Sequence, residues 1–237
     1  MQDRYILTTF DIALTSTPDP SFRVRAIRDR FGIMGDEISE RFIGDIDLSD
    51  DWKIGMICGP SGSGKTTIAR ELFGDAVVPG FDYGASAVVD DMPSGVDCDR
   101  IARTFNAVGF SSPPCWLRPY RVLSGGEKMR VDLSRALLLS APIIVFDEFT
   151  SVVDRQVARY GSAAVAKAVR RSDAQFVAVT CHYDVAEWLC PDWIFDTATM
   201  RQSKPKKKSA PRSAFGSSES VGNLSATTGA VLADTII

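Results

Sequence analysis

Histidine is nearly absent from this sequence: one residue, His182, among 237. The five cysteines (58, 98, 115, 181 and 190) form no Cys-x-x-Cys pair and no metal-like spacing. Together these scarcities argue against a zinc site and predict reduced thiols in a cytoplasmic protein. No apolar run approaches the roughly 18 residues of a membrane span. The most apolar stretch, ALLLSAPIIVF at 136–146, is broken by Ser140 and Pro142, so no direct membrane insertion is expected. The opening MQDRYILTTFD lacks a basic region followed by an apolar one, and no secretory signal is expected in it. Neither sign of charge dominates: 27 Lys+Arg against 30 Asp+Glu leave a net charge of −3. The molecule is no polycation, and any nucleic-acid contact would need a local patch.

What is present is an ordinary globular composition, 45% hydrophobic and 24% charged. The length suits one α/β domain with a sizeable core, with or without a small subdomain. Residues 4–14, RYILTTFDIAL, read as a strand, and TSTPDP breaks it. FRVRAIRDRFG fits helix or strand equally. WKIGMIC (52–58) is a short apolar strand, KTTIARELFG (65–74) a helix stopping at Gly74, and SAVVDDMP a strand ending at Asp90-Asp91. DCDRIARTFNAVG is helical, and SSPPCWLRP is a proline-rich loop. The stretch GGEKMRVDLSRALLLS is a helix with an apolar face at Val131, Leu133, Leu137 and Leu138. PIIVFDE and AQFVAVTCH are buried strands around the helix RQVARYGSAAVAKAVRRS. YDVAEWL starts a short helix, and DWIFD is a last strand. Buried strands alternating with helices predict parallel crossovers in an α/β sheet. From residue 202 the chain turns Lys-, Ser-, Ala- and Gly-rich without a period, which predicts a disordered basic, Ser-rich tail over 202–237.

GPSGSGKT fits G-x-x-x-x-G-K-[ST] at Gly59, Gly64, Lys65 and Thr66, after an apolar strand and at the start of a helix. Glycine lets the backbone wrap closely, so that the N–H groups of Gly59, Pro60-Ser61, Gly62, Ser63, Gly64, Lys65, Thr66 and Thr67 can cradle phosphate oxygens, proline itself offering none. The helix start adds partial positive charge. Lys65 reaches the β and γ phosphates, and Thr66 offers its hydroxyl to Mg²⁺. The bland reading is a glycine-rich turn, and the strand–loop–helix context weighs against it. IIVFDE at 143–148 brings two carboxylates to the C-terminal end of a buried strand, where ligands gather in open α/β sheets. Asp147 suits Mg²⁺, and Glu148 suits polarising a water. Such a run is common by itself; after a phosphate loop it reads as a Walker B pair.

LSGGE at 123–127 opens a second helix N-terminus with Ser124, Gly125 and Gly126. This stretch, followed by a helix and the Walker B strand, resembles the signature of the ABC-type ATPases. The resemblance spans roughly residues 4–198. It implies an ABC-type P-loop sandwich, with a mostly parallel core sheet, antiparallel N-terminal strands and a short helical subdomain over about 92–140, in an ATPase domain of residues 1–201. It also implies ATP and Mg²⁺ as ligands, hydrolysis, and a head-to-tail homodimer in which each signature caps the ATP held by the other chain. FTSVVD is similar to the family's D-loop, with Asp154 as its aspartate. VAVTCH ends at His182, where the family places a γ-phosphate-sensing histidine; a lone histidine is otherwise an ordinary core or surface residue. RFG at 30–32 resembles the adenine-stacking aromatic, with Phe31 chosen and Phe22 and Phe42 as alternatives, against a plain core phenylalanine.

The sequence departs from the family in four places. No glutamine occurs between Thr66 and Ser124, and Asp90 or Asp91 stands in its place, with Asp91 a candidate for Mg²⁺ or the lytic water and a strand-end turn as the bland alternative. The segment from Asp91 to Ser124 is short. Phe149 replaces a proline, and Glu127 replaces the common glutamine. The missing glutamine and trimmed helical segment favour a soluble, non-transport ATPase, with the basic cluster Lys204, Lys206, Lys207, Lys208 and Arg212 as a possible nucleic-acid contact, whose bland reading is a solvated tail. A transporter's ATP-binding subunit is the alternative, and an unknown protein partner stays open.

Overall fold

In the computed structural model the described residues are 7–205, apart from 36, 79, 140 and 152. The chain opens with an antiparallel ribbon of β1 (Leu7–Ser16) and β2 (Ile38–Asp47), in register from Leu7 opposite Asp47 to Ser16 opposite Ile38. Between them lies α1 (Phe22–Phe31). Its sequence fitted helix or strand; the caps decide it. The Ser21 hydroxyl accepts from the Val24 N–H, and Gly32 closes the other end in the left-handed region, φ 63°. β2 is too polar to stand out in the sequence, because only Phe42 and Ile46 of its ten residues are buried. From residue 13 to residue 41 no described residue is buried, so the far half of the ribbon and all of α1 project as an arm.

Among the described residues the main sheet has six strands: β3 (Ile54–Cys58), β4 (Val77–Val78), β5 (Ile143–Phe146), β6 (Gln175–Thr180), β7 (Trp193–Asp196) and β8 (Arg201–Ser203). Their order is β4-β5-β6-β3-β7-β8, parallel except for the last pair. The helices are α2 (Lys65–Phe73), α3 (Cys98–Ala107), α4 (Pro113–Trp116), α5 (Gly125–Leu138), α6 (Arg155–Val169) and α7 (Val185–Leu189). Alternation along the strands divides the core. Ile54, Met56, Ile144, Phe176 and Ala178 face one layer with Phe105, Leu133 and Val165 from α3, α5 and α6. Ile57, Val145, Val177 and Val179 face the other, with Ile68 of α2 and Phe10 and Ile46 of the ribbon.

Three expectations change. SAVVDDMP is not a strand: Val88–Asp91 is a 3-10 turn, because Asp91 Oδ1 accepts the N–H groups of Gly84 and Ala85 at 3.1 and 3.0 Å and curls the segment back. SSPPCWLRP is not all loop, since Pro113 and Pro114 fill the first positions of α4, where a missing N–H costs nothing. The strand β8 covers Gln202 and Ser203, beyond the boundary placed at 201. The Gln202 amide brackets the Asp47 backbone, accepting its N–H at 2.7 Å and donating to its C=O at 2.8 Å. The tail from 206 on, with Lys206, Lys207, Lys208 and Arg212, lies outside the described residues.

Candidate functional site

Every residue of β3 is buried, and the strand delivers the chain to Gly59 at the sheet's C-terminal edge. A Cβ at Gly59 would meet Thr197 Oγ1 at 2.0 Å. One at Gly64, where φ is 77°, would meet the Phe42 ring at 2.6 Å. Both glycines are therefore set by close neighbours as well as by loop curvature. Gly64 caps α2 without a side chain, which leaves the first N–H groups of the helix available to an anion. Lys65 is buried, and its ammonium donates to the Pro60 carbonyl at 2.7 Å, over its own loop. Pro60, Ser61 and Gly62 are exposed at the rim, while Thr66 and Thr67 are half-buried beneath it. Ser63 Oγ lies 2.8 Å from Pro60 O and 2.5 Å from Thr197 Oγ1, which in turn reaches Cys58 O at 3.2 Å. Two hydroxyls thus tie the loop to the last turn of β3. Cys58 is no thiolate: burial, and then Asp196, push its thiol up to about 12, against the pull of Lys65.

The strand order sets the carboxylates and the histidine beside this loop. β6 lies between β3 and β5, with Cys58 level with Thr180 and Phe146 level with Ala178. The loop, Asp147–Glu148 and His182 consequently leave the sheet at the same edge. Asp147 Oδ1 accepts the Glu148 N–H at 2.9 Å. Glu148 is exposed and held at φ 53°, and Thr150 two residues on is at φ 68° and buried. Left-handed backbone at two side-chain-bearing residues is stored strain, and Phe149 holds it. Its N–H donates to Val179 O at 2.8 Å, and its ring is fully buried against Phe146 and Phe176. A proline at 149 could not donate that bond. His182 is half-buried, and its N–H donates to Thr180 Oγ1 at 3.1 Å. Asp154 caps α6, accepting from Gln156 and Val157 at 2.9 and 3.0 Å. Arg155 beside it pairs with both carboxylate oxygens of Asp184, two residues past His182, and lies over Trp188.

Ser124 caps α5 in a capping box. Its N–H and hydroxyl donate to Glu127 Oε2 at 2.8 and 2.7 Å, and it accepts the Glu127 N–H at 3.4 Å. The Ser124 hydroxyl and then its N–H hold the Glu127 carboxyl below its usual range. Gly126 packs against Val157 of α6, whose Cγ1 would be 2.6 Å from an added Cβ. A cavity of about 450 Å³ joins this helix to the sheet edge, lined by Gly125, Tyr120, Val78, Phe146, Asp147 and Glu148. Asp132 also lines it. Behind that wall Tyr83 stacks on Tyr120 at 3.8 Å, and both hydroxyls donate to Asp132, at 2.7 and 2.8 Å.

Among the described residues no group of three His, Cys, Asp or Glu side chains is placed to hold a metal. The donor set of Thr66 and Asp147 instead suits Mg²⁺ that keeps waters and phosphate oxygens as its other ligands. Asp91 spends its Oδ1 on the Gly84–Ala85 turn and does not line the cavity beside Asp147. The ring that touches the loop is that of Phe42, buried against Gly64, whereas Phe31 is on the exposed arm. Thr197 was not foreseen; it follows the DWIFD strand, and only the register of β3 with β7 shows that it stands next to Gly59.

Residues 56–187, more than half of the chain, match the family described as "ATPase family associated with various cellular activities (AAA)". The chain is 26% identical over 208 residues to the Fe(3+) ions import ATP-binding protein FbpC of Mesorhizobium japonicum, covering 72% of this chain and 56% of that protein. It is 31% identical over 101 residues to the lipoprotein-releasing system ATP-binding protein LolD 1 of Rhodopirellula baltica, 43% of each. It is 27% identical over 151 residues to elongation factor 3B of Saccharomyces cerevisiae, 54% of this chain and 14% of that protein. The chain therefore spans little more than half of the first of these relatives, and less of the others. Among solved structures, a dimeric bacterial ABC transporter cassette superposes with a TM-score of 0.55 at 16% identity, over 84% of this chain and 98% of that one. A dimeric cassette in a post-hydrolysis state bound to ADP and Pi gives 0.54 at 18%, over 73% and 94%. The phosphate loop, the carboxylate pair and the capped helix at Ser124 all lie within the matched residues; the chain belongs to this ATPase family, and its fold is that of the ABC cassettes.

Proposed function

We propose that two copies of the chain close head to tail around two ATP molecules, hydrolyse them and reopen. The observation that carries this reading is the convergence of Lys65, Asp147, Glu148 and His182 at one sheet edge, with Ser124 capping the N-terminus of a separate helix. In each site Lys65 and the loop N–H groups of one chain hold the β and γ phosphates. Thr66 and Asp147 hold Mg²⁺, which when bound neutralises phosphate charge. Glu148 orients and polarises the attacking water, and His182 bonds the γ-phosphate. Ser124 and the N–H groups of Gly125 and Gly126 come from the other chain, with Asp154 at the interface. Glu127 must release the Ser124 hydroxyl for this capping to occur.

For the work that hydrolysis drives, the soluble, non-transport reading rests on the absent glutamine and on Asp91 being engaged in a turn. The similarity to elongation factor 3B is compatible with it. The likeness to FbpC and LolD supports the second reading, an ATP-binding subunit serving separate membrane subunits. Either work would be done on the cytoplasmic side, in keeping with five free cysteines.

Steady-state turnover against protein concentration, with and without double-stranded DNA, tests the proposal, with Glu148→Gln as the blank. Turnover per chain should rise with concentration, and Glu148→Gln should elute as a dimer with ATP and as a monomer without it. Wild-type turnover in Glu148→Gln would remove that residue from the mechanism. Unchanged binding of a labelled ATP analogue by Lys65→Ala would count against the loop.

A further inference from the structure

The arm of residues 13–41 needs a partner that the ATPase site does not supply. An isolated ribbon and an isolated ten-residue helix are each marginal in water. Yet here both are formed, and no described residue among them is buried. Single exposed apolar residues are normal on a surface, but this arm concentrates them. Phe22, Ile27, Phe31, Ile33, Met34 and Ile38 are all exposed, Met34 by 92% and Phe22 by 80%. On α1, Val24, Ile27 and Phe31 recur at i, i+3 and i+7 and share one face. Arg23 and Arg30, also seven apart, flank that stripe on one side, with Arg28 on the other. Asp29, the one acid of the helix, falls on the opposite face; the arm's other acids lie outside the helix in the sequence, Asp19 before it and Asp36, Glu37 and Glu40 after it.

We propose that this arm is a docking surface for an anionic phospholipid membrane, with α1 lying on the interface and Ile33 and Met34 beside it at headgroup depth, a peripheral contact that needs no spanning segment. An apolar stripe bordered by arginines, whose stems snorkel while their heads meet phosphate, is the chemistry of interfacial helices. The chain's net charge of −3 makes the four arginines of α1 a local feature rather than a general basicity. A nucleic-acid backbone would engage the arginines and leave the stripe in water. A second copy laid against α1 would oppose arginine with arginine. A groove-forming protein fits less well, because a groove would also have to take in the charged groups that border the stripe on both sides. The arm lies on the surface and does not cross: no described helix is long and apolar enough for that. This proposal does not depend on the hydrolysis mechanism.

The test is flotation of the full chain with vesicles of one-third phosphatidylglycerol in phosphatidylcholine, against pure phosphatidylcholine, at low and high salt. The chain should float with the anionic vesicles, and less at high salt. Arg23→Gln/Arg30→Gln should lower the partition on the order of thirtyfold, and Ile27→Ser/Met34→Ser should lower it at low salt too. Both variants should keep wild-type ATP turnover, which shows that they are folded. A chain that stays with the bottom fraction on anionic vesicles overturns the proposal. So does equal binding to both vesicle types, or a nucleotide-free dimer that these same substitutions dissolve, since the arm's occupant would then be a second copy.

Discussion

Replacing Thr197 with valine tests whether the hydroxyl relay under the phosphate loop shapes that loop. Valine keeps the branched shape, and the Thr197 backbone N–H continues to satisfy Cys58 O at 2.8 Å. What is lost is Oγ1, with its 2.5 Å contact to Ser63 Oγ and its 3.2 Å contact to Cys58 O. Ser63 keeps Pro60 O at 2.8 Å, so no buried hydroxyl is orphaned. One to two hydrogen bonds at about 1 kcal/mol each put the cost at about 1–2 kcal/mol. For a body of this size that lowers Tm by roughly 2–8 °C. If the relay holds Ser63 and Gly59 ready for phosphate, the same free energy appears as weaker nucleotide binding, by roughly 5- to 30-fold. The assay is calorimetric titration with a non-hydrolysable ATP analogue, beside a thermal melt, for wild type, Thr197→Val and Thr197→Ser. Serine restores the hydroxyl and should recover most of the affinity. A valine variant that melts lower but binds as wild type would refute the link from relay to loop and leave Thr197 a packing residue.

Phe149→Ala should cost about 3–5 kcal/mol, because it empties a fully buried aromatic site, and chemical denaturation measures it. Turnover should also fall, since Phe149 holds the strained Glu148–Thr150 turn. Asp192 should make the protein acid-sensitive. Burial raises its carboxyl, but the N–H groups of Ile54 and Lys53 and the Arg170 guanidinium outweigh burial and leave it below the ordinary value. Its folded value is depressed, so its stabilisation is complete above about pH 4 and is lost as pH falls through the folded value. Asp192→Asn should unfold more readily at pH 7 and show a shallower acid limb in urea melts; parallel limbs would refute this. Asp184→Asn should lower kcat a few-fold with KM for ATP unchanged, because the Arg155 pair aligns the segment that carries His182. The pair is half-exposed and worth under about 1 kcal/mol in stability, so a large drop in Tm would point to a structural role instead.

The site was legible because its chemistry is local. A phosphate needs consecutive N–H groups and a lysine at fixed spacing, so Gly59 to Thr66 announces itself. Asp147 and Glu148 follow an apolar strand for the same reason. Ser124 to Glu127 is a short-range capping pattern that any reader of helix starts can find. What stayed hidden is set at long range. Thr197 stands beside Gly59 only because β7 pairs with β3. SAVVDDMP has a strand's composition, but the Asp91 carboxylate bends it through two N–H groups that no periodicity encodes. The choice of Phe31 followed a short motif, whereas Phe42 is seated on Gly64 by the pairing of β1 with β2. β2 and β8 went unseen because polar edge strands carry little hydrophobic signal.

The Gln202 amide that brackets Asp47 bears on the order in which the protein is made. Its two bonds join residues 155 positions apart, from the first ribbon to the last strand. On a ribosome the ribbon emerges early and finds its backbone groups at Asp47 without this partner until nearly the whole body has been synthesised. A chain stopped short of residue 201 would carry nearly all of the ATPase chemistry and none of this closure. Its ribbon would be free to pair elsewhere, so premature termination near the end of this body should yield aggregation rather than a slightly smaller enzyme.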